Sequence, residues 1–254
     1  MANAPAASQA LAVLQLLARH SEPVPASAIA RDLGLPRSSV YHLLSVLRDQ
    51  GFVVHLAEER RYGLGVAAFE LGSAYTRQAP LQRLARQLLV HLVDATRHNA
   101  HLAVLHGRDV IYVIEERAPG RPPLVTDVGV RLPAHLTASG RAMLATLSNA
   151  QVRALFPGPS AFVMRTALGP QSLSALRQLL VDSRRLGYAV EAGEVPPGFA
   201  SVAVAVSDHS GHPVAGVALT YPSRGAAAGQ ERLAEQVTRT ARDLTRRLGG
   251  SSSG

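Results

Sequence analysis

Residues 36–50 carry polar, aromatic and basic side chains at a spacing that suits contact with a polyanion. The apolar residues of this segment recur at helical spacing and form one stripe, Val40, Leu43, Leu44 and Leu47. The opposite side and its flanks carry Arg37, Ser38, Tyr41, His42, Ser45 and Arg48. Such side chains hydrogen-bond phosphates and base edges, whereas an ordinary solvated face carries long Glu and Lys chains. The pattern predicts a recognition helix for the DNA major groove, although a plain amphipathic helix would give the same stripe.

Two shorter helices are predicted before this segment. Apolar residues recur at helical spacing over residues 11–18, and the two prolines of the sequence SEPVP end that helix. A second helix covers residues 26–33 and ends at Gly34, while Pro36 suits the first turn of the third helix and Gly51 its C-terminal stop. Two short helices joined by a tight turn that contains glycine match a helix-turn-helix.

A β-hairpin is predicted directly after the recognition helix. Residues 52–56 read as a strand, residues 57–60 as a polar turn and residues 61–64 as the returning strand. A hairpin at this place makes the unit a winged helix, with Arg60 and Arg61 placed to contact backbone phosphate. A solvated turn explains these two arginines equally well. The amphipathic segment from Val66 to Arg77 follows as a connecting helix and is our candidate for a contact between subunits.

The second half of the chain alternates predicted strands and helices. Helices are predicted over residues 81–97, 139–147, 149–155, 172–186 and 230–248. Strands are predicted over residues 100–106, 110–116, 124–128, 201–207 and 214–220. Consecutive hairpins with helices between them indicate an antiparallel sheet covered by helices, and the fold class is therefore α+β.

Composition excludes several classes of protein. The 254 residues include no cysteine, which rules out disulfides, thiolate metal sites and cysteine nucleophiles. No apolar run is long enough to span a bilayer, and no basic segment precedes an apolar block at the N-terminus, so we expect a cytoplasmic bacterial protein without a membrane partner. The net charge is +8, and all 26 basic residues are arginine. It adds little to the argument for DNA binding, because residues 1–80 hold seven Arg and six acidic residues.

Two other kinds of chemistry compete with ligand and DNA binding. A metal site would use His98 with His101 or His106 with His135, but the spacing is irregular and three or four converging ligands are needed. A hydrolase would use Ser139, but the sequence lacks the G-x-S-x-G elbow, and it has no phosphate-binding glycine loop. We therefore expect no metal, no cofactor and no catalysis, with a hydrolase site around Ser139 as the alternative.

Five stretches of the chain resemble the IclR family of bacterial transcriptional regulators. The N-terminal part contains IARDLGLPRSSVYHLLSVLRDQGFV and then YGLG. The C-terminal part contains VGVRLPAHLTASGRAMLA, LGYAVEAGEVPPGFASVAVAV and GHPVAGVALTYP. The resemblance runs from about residue 9 to residue 248 and involves two independent domains. It implies a winged helix-turn-helix joined by a linker helix to a GAF-like α/β effector-binding domain with an antiparallel sheet.

The resemblance also implies domain bounds and a mode of action. We expect a disordered tail over residues 1–7, the DNA-binding domain over 8–64, the linker helix over 65–79, the effector-binding domain over 80–249 and a second disordered tail over 250–254. Family members assemble as dimers or tetramers on palindromic operators in double-stranded DNA. We expect the same here, with a repressor favoured and a small organic, anionic metabolite as the effector.

Two sets of site residues follow. The DNA-binding set is Arg37, Ser38, Ser39, Tyr41, His42, Arg60 and Arg61. The effector-binding set, carried over from the family pocket, is Ala138, Ser139, Gly140, Glu191, Ser201 and Thr220. The first three would offer free backbone N–H groups to an anion at a helix N-terminus. Ser201 stands where relatives often have Cys and Ala218 has lost a hydroxyl that some offer, so the ligand is expected to differ from the two- or three-carbon keto acids of the best-known members.

Overall fold

A computed structural model describes residues 4–78, 80–121, 126–195, 197–223 and 229–250. The chain divides into two compact units, residues 1–79 and 80–254. Each unit has its own buried apolar cluster, and no helix in the described ranges is long and apolar enough to cross a bilayer.

The first unit is a three-helix core with a small sheet. Its elements are α1 (Pro5–Arg19), β1 (Val24–Pro25), α2 (Ala26–Leu33), α3 (Arg37–Asp49), β2 (Val53–Leu56), β3 (Arg61–Leu64) and α4 (Val66–Gln78). The three strands are antiparallel in the order β1-β3-β2. The predicted helix-turn-helix and wing are therefore present, with an additional short strand that the sequence analysis did not find.

Two helix starts in this unit differ from the prediction. Helix α1 begins at Pro5, inside the segment expected to be a disordered tail, because proline suits the first helical position; residues 1–3 lie outside the described ranges. Helix α3 begins at Arg37, and Pro36 is its N-cap with extended backbone rather than part of the first turn.

Glycines end α2 and α3 as predicted. Gly34 adopts a left-handed conformation, with φ of 64°, as the C-cap of α2. After α3, Gly51 is left-handed, with φ of 74°. The Gly51 N–H donates to Arg48 O and the Phe52 N–H donates to Leu47 O. This pair of bonds is a Schellman motif, which turns the chain from the recognition helix into the wing.

The second unit is a six-stranded antiparallel sheet with helices on both faces. Its elements are α5 (Pro80–Thr96), β4 (Asn99–His106), β5 (Asp109–Glu116), β6 (Arg131–Pro133), α6 (Ala138–Thr146), α7 (Asn149–Leu155), α8 (Leu173–Leu186), β7 (Ala189–Ala192), β8 (Phe199–Ser207), β9 (Pro213–Pro222) and α9 (Gln230–Arg247). Short 3₁₀ helices cover Ala134–Leu136 and Pro159–Ala161. The strand order is β6-β5-β4-β9-β8-β7, which confirms the predicted α+β class.

Alternating residues of the strands supply two separate cores. Helices α5 and α9 pack on one face through a large cluster that includes Leu102, Val202 and Leu219. On the other face, α6 packs through a small cluster of alanines, Ala138, Ala142, Ala189, Ala203 and Ala218. Because alanine has a short side chain, α6 lies close to the sheet.

Two predictions for this unit need correction. The strand expected at residues 124–128 is not formed at Thr126–Val128, where the chain runs into a turn at Val128–Gly129, and residues 124–125 lie outside the described ranges. The strand that pairs with the outer edge of β5 is instead β6, where Val110 aligns with Leu132 and Ile111 with Arg131. Strand β7 was not predicted. Of the expected C-terminal tail, Gly250 donates its N–H to Thr245 O, and residues 251–254 are outside the described ranges.

Candidate nucleic-acid interface and ligand cavity

The polar face of α3 lies at the surface. Arg37, Ser38, Tyr41 and His42 are exposed, with Tyr41 at 56%, and Ser39 is half-buried. The predicted apolar stripe Val40, Leu43, Leu44 and Leu47 is buried in the core of the first unit. Burial of the stripe orients the opposite face outward. Within the described ranges, the five predicted contact residues of α3 make no side-chain hydrogen bond or ion pair.

The N-terminus of α3 has no side-chain cap. Its first backbone N–H groups, including those of Arg37 and Ser38, therefore point out of the helix without an intrahelical acceptor. A helix N-terminus of this kind favours a phosphate oxygen through both its free donors and its dipole. Further along the helix, the exposed Arg48 side chain donates to Asp49 and Ser45.

The two wing arginines occupy different environments. Arg60 is exposed in the β2–β3 turn, with a left-handed backbone at φ of 54°. Arg61 is half-buried in β3, and its Nη1 donates to Pro23 O at 3.1 Å. Arg61 therefore ties the hairpin to the segment before α2, while Arg60 keeps its guanidinium at the surface. In the same hairpin, the rings of His55 and Tyr62 stack at 4.5 Å between centroids.

In the second unit, the N-terminus of α6 lies against the sheet. Thr137 is its N-cap, and the Thr137 hydroxyl accepts a hydrogen bond from the Gly140 N–H at 3.0 Å. The prediction that Gly140 offers a free N–H was therefore wrong, because the cap uses this donor. The N–H groups of Ala138 and Ser139 have no acceptor among the described residues, in agreement with their positions in the first helical turn.

Two glycines allow this close approach. A Cβ on Gly140 would lie 2.2 Å from Ala134 O, and one on Gly216 of β9 would lie 3.0 Å from Ser139 O. Any side chain at Gly216 would therefore push the first turn of α6 away from β9. The glycines set the distance between the helix N-terminus and the polar residues of the sheet.

Three predicted site residues form one row across neighbouring strands. Glu191 of β7 pairs with Ser201 of β8, which pairs with Thr220 of β9. The hydroxyls of Ser201 and Thr220 are 3.0 Å apart. The Glu191 Oε1 accepts the N–H groups of Glu194 at 2.9 Å and Val195 at 3.2 Å. All three side chains of the row are buried.

The row and the start of α6 line one cavity. Its lining comprises His101, Tyr112, Thr126, Thr137, Ala138, Ser139, Glu191, Val195, Ser201, Ala218 and Thr220. The cavity thus unites every predicted effector residue except Gly140. Its volume is about 10 Å³, which is close to the space one water molecule needs. A metabolite can enter only if a wall moves outward.

Sequence reasoning missed His101, Tyr112 and Thr126 as lining residues. His101 of β4 pairs with Ala218 of β9, and its ring meets that of Tyr112 edge to face at 5.7 Å. Both ring nitrogens of His101, together with Thr126 Oγ1 and Ser139 Oγ, are buried and make no hydrogen bond within distance and angle limits among the described residues. Buried polar atoms are normally paired, so these atoms mark a place where a ligand would complete the hydrogen bonding.

The described residues that line the cavity include no side-chain cation. Burial lowers the pKa of His101 to about 3, and the charge of the nearby Arg117 acts in the same direction. The imidazole is therefore neutral near pH 7. Burial raises the pKa of Glu191 to about 7; the Glu194 carboxylate adds to this, and hydrogen bonds from Val195, Glu194 and Ser201 oppose it. Burial also raises the pKa of Tyr112, with help from Glu191 and against the nearby Ser139 hydroxyl. No Lys or Arg is among the lining residues.

The nearest buried cation belongs to a neighbouring network. Arg141 of α6 is 2% exposed and donates to His135 O at 2.9 Å, Val190 O at 2.7 Å and Glu194 Oε1 at 2.8 Å. Glu194 also accepts the Ala192 N–H. The guanidinium therefore joins α6 to the segment after β7, and its charge is paired with Glu194.

Histidines considered for a metal site are dispersed. His98 contacts Arg121 at 3.3 Å and His106 contacts Arg131 at 3.1 Å. His135 Nε2 lies 3.0 Å from Val163 O. Over the part of the chain that the structure describes, no three His, Asp or Glu side chains converge as a metal site requires.

An exposed recognition helix with a wing, together with a separate unit that encloses a polar cavity, defines a transcriptional regulator with a sensor domain. Family models agree with this class in both units. The IclR helix-turn-helix domain matches residues 6–57, and the bacterial transcriptional regulator IclR C-terminal domain matches residues 73–246. The chain belongs to the IclR family of bacterial transcriptional regulators.

Similar proteins cover nearly the whole chain. The HTH-type transcriptional regulator XynR of Escherichia coli K12 is 30% identical over 247 residues, which are 95% of this chain and 96% of XynR. The transcriptional repressor IclR of the same strain is 27% identical and covers 98% of this chain and 94% of its own length. Among solved structures, a putative IclR regulator from Silicibacter sp. TM1040 has a TM-score of 0.86 at 25% identity, with 98% of each chain covered.

One solved neighbour contains a ligand. An IclR homolog from Microbacterium hydrocarbonoxydans, complexed with 4-hydroxybenzoate, has a TM-score of 0.79 at 22% identity and covers 96% of this chain and 98% of its own. At this identity the similarity concerns the fold.

Proposed function

We propose that this protein is a cytoplasmic repressor that binds a palindromic operator as a dimer or tetramer. A small organic effector either releases it from the operator or keeps it bound there. The observation that carries the proposal is the exposed polar face of α3, with Arg37, Tyr41 and His42 free of side-chain partners among the described residues. The repressor assignment is supported by the similarity to the transcriptional repressor IclR of Escherichia coli.

The recognition helix reads the major groove in this proposal. Arg37, Ser38, Ser39, Tyr41 and His42 lie in the first two turns of α3, the part of such a helix that approaches base edges. Arg60 holds the wing on the phosphate backbone. Arg61 is a weaker candidate for a phosphate contact, because its guanidinium already binds Pro23 O.

Dimerisation is needed because one winged helix contacts too few base pairs for specificity. Helix α4 offers a surface for this contact. Val66, Phe69 and Leu71 are exposed, Phe69 at 75%. Val66 and Phe69 are three positions apart and lie on one face of the helix, and a second copy of the chain buries them in this proposal.

The effector site is the cavity in the second unit. The free N–H groups of Ala138 and Ser139 suit a carboxylate, and the hydroxyls of Ser139, Ser201 and Thr220 suit further oxygen atoms of a ligand. The neighbour that binds 4-hydroxybenzoate supports an organic acid as the ligand class. The ligand acts only through its different affinities for the operator-bound and free arrangements of the protein.

A DNA-binding experiment tests the first half of the proposal. Operator fragments are selected from a random duplex library with wild-type protein and then titrated in gel-shift assays. Arg37→Ala should weaken binding by about 1–3 kcal/mol, because one bidentate arginine contact is worth that much. Arg153→Ala, which removes an exposed arginine from α7, is the matched control and should bind like wild type. Equal affinity of Arg37→Ala and wild type would refute the assignment of α3.

A ligand screen tests the second half. Organic acids, including 4-hydroxybenzoate, are screened for an increase in the melting temperature of the wild-type chain. Ser201→Leu fills the cavity and should abolish the increase, whereas Ser160→Leu, at an exposed position, should keep it. An increase that survives in Ser201→Leu would place the ligand elsewhere.

We propose no catalytic function for Ser139. Its hydroxyl makes no hydrogen bond to a base, and a serine nucleophile needs one. The hydrolase alternative has a direct assay: turnover of p-nitrophenyl acetate that disappears in Ser139→Ala would establish it.

A further inference from the structure

Backbone N–H groups hold Glu191 in the cavity through one of its carboxylate oxygens. Its Oε1 accepts two backbone N–H groups, from Glu194 and Val195, and the residue is 2% exposed. The neutral Ser201 hydroxyl also interacts with this carboxylate, and no ion pair among the described residues includes it. Glu191 is therefore a fixed acidic wall of the same cavity that offers the N–H groups of Ala138 and Ser139 to a ligand.

The groups that face Glu191 from the surrounding elements do not neutralise it. Tyr112 of β5 and Tyr221 of β9 are uncharged near pH 7, since burial raises the pKa of each, and the His101 ring of β4 is neutral. Glu194 adds a second negative charge, and Arg141 of α6 is bonded to Glu194. Strand β8 contributes the neutral Ser201.

A ligand carboxylate in this cavity would therefore meet a second carboxylate without a cation between them. Two carboxylates that share a poorly solvated site do not both ionise, because their repulsion adds to the desolvation cost of each charge. We propose, building on the proposed function, that Glu191 and a bound carboxylate effector share one negative charge, so that at alkaline pH, where ligand-free Glu191 is ionised, each ligand bound takes up one proton.

The proton has a defined place in this arrangement. The ligand carboxylate accepts the N–H groups at the start of α6, and protonated Glu191 donates a hydrogen bond through Oε2 to a ligand oxygen. Burial already raises the pKa of Glu191 to about 7 before any ligand is present, and a ligand charge raises it further. Effector binding is then nearly constant just below about pH 7 and weakens as pH rises above it.

The test uses 4-hydroxybenzoate and the matched neutral compound 4-hydroxybenzamide as probes, with isothermal titration calorimetry of the full chain. Above about pH 7, the Kd of the benzoate should rise by up to about tenfold per pH unit, as expected for uptake of one proton. The Kd of the benzamide should change by less than about twofold over the same range. At about pH 8.5, titrations in two buffers of different ionisation enthalpy should count close to one proton per benzoate and none per benzamide, and at about pH 6 the count per benzoate should fall towards zero.

Two variants locate the proton. Glu191→Gln should bind the benzoate with a Kd independent of pH, whereas Glu231→Gln, an exposed position on α9, should keep the wild-type slope. Proton counting on the wild type does not depend on the folding of either variant.

Three outcomes would overturn the inference: a benzoate Kd that stays constant across this range, proton uptake that persists in Glu191→Gln, or the absence of benzoate binding at pH 6. Gel-shift titrations with the selected operator report on the proposed function separately, because operator binding by the ligand-free protein does not involve Glu191.

Discussion

Replacing Glu191 with Gln should stabilise the second unit at alkaline pH and leave its stability almost unchanged at acidic pH. The residue is 2% exposed, and the pKa of its carboxyl is raised from 4.5 to about 7, chiefly by burial. Glutamine has the same shape and keeps an oxygen that accepts the N–H groups of Glu194 and Val195. The substitution therefore removes the charge and retains the hydrogen bonds.

The sign of the effect follows from proton binding. Between about pH 4.5 and 7, the folded chain keeps a proton on Glu191 that the unfolded chain has released. Stability therefore falls as pH rises through this window and levels off above the folded pKa. A shift of this size corresponds to about 3 kcal/mol, which is the largest advantage that Glu191→Gln can have over wild type.

A second buried group acts in the opposite direction. The pKa of His101 is lowered to about 3, so the unfolded chain binds a proton there below about pH 6.5 and stability falls as pH decreases. The raw pH profile of either protein therefore contains both effects. The difference between the variant and wild type isolates Glu191, because His101 is present in both.

Urea unfolding followed by far-UV circular dichroism measures this difference, with one transition fitted to each unit because the chain has two. The gap between Glu191→Gln and wild type should open between about pH 5 and 7 and remain constant above that. Glu231→Gln, at an exposed position, should follow wild type. Parallel curves for Glu191→Gln and wild type from pH 5 to 8.5 would show that Glu191 is ionised throughout, and the electrostatic account of the cavity would fail.

Further substitutions test the wing, the buried ion pair and the helix contact. Arg60→Ala should lower the salt dependence of DNA binding by about one unit of slope, whereas Arg61→Ala should mainly reduce stability, by about 1 kcal/mol; salt-dependent gel shifts and urea unfolding distinguish the two. Arg141→Met leaves Glu194 buried without its partner and should cost about 3–5 kcal/mol in urea unfolding. Gly216→Val should cost about 1–3 kcal/mol and abolish ligand stabilisation in thermal shift.

The recognition unit was predictable because its signals are local. The stripe from Val40 to Leu47 repeats at the helical period, and Gly34 and Gly51 stop the helices where a left-handed residue is needed. These features depend only on neighbours in the chain. The short strand β1 was missed because its two residues, Val24 and Pro25, form a strand only through pairing with β3.

Two site residues make local hydrogen bonds that were not predicted, for different reasons. Gly140 lost its N–H to the Thr137 cap, and a threonine directly before a helix is a signal that the sequence already contained. Arg61 could not be distinguished from Arg60 by sequence, since its acceptor is the carbonyl of Pro23, 38 positions away.

The cavity was only partly predictable because strand pairing assembles it. Ser201 and Thr220 came from family resemblance, and their contact depends on the register of β8 and β9. His101 and Tyr112 are brought together by a bulge between Leu102 and Ala103, which shifts the register of β4 and β5. Bulges and registers are long-range properties, and periodicity along one strand does not reveal them.

The distribution of buried charge is the property that sequence reasoning was least able to reach. Glu191 and Glu194 are three residues apart, and the sequence gives no reason to pair Arg141 with one rather than the other. The fold decides this, because the Arg141 guanidinium that bonds Glu194 also donates to Val190 O in the same segment and is fixed there. Glu191 is left in the cavity with backbone donors on one oxygen and no cation. In our proposal a proton neutralises Glu191, and we therefore expect the affinity of this site for an acid to depend on pH.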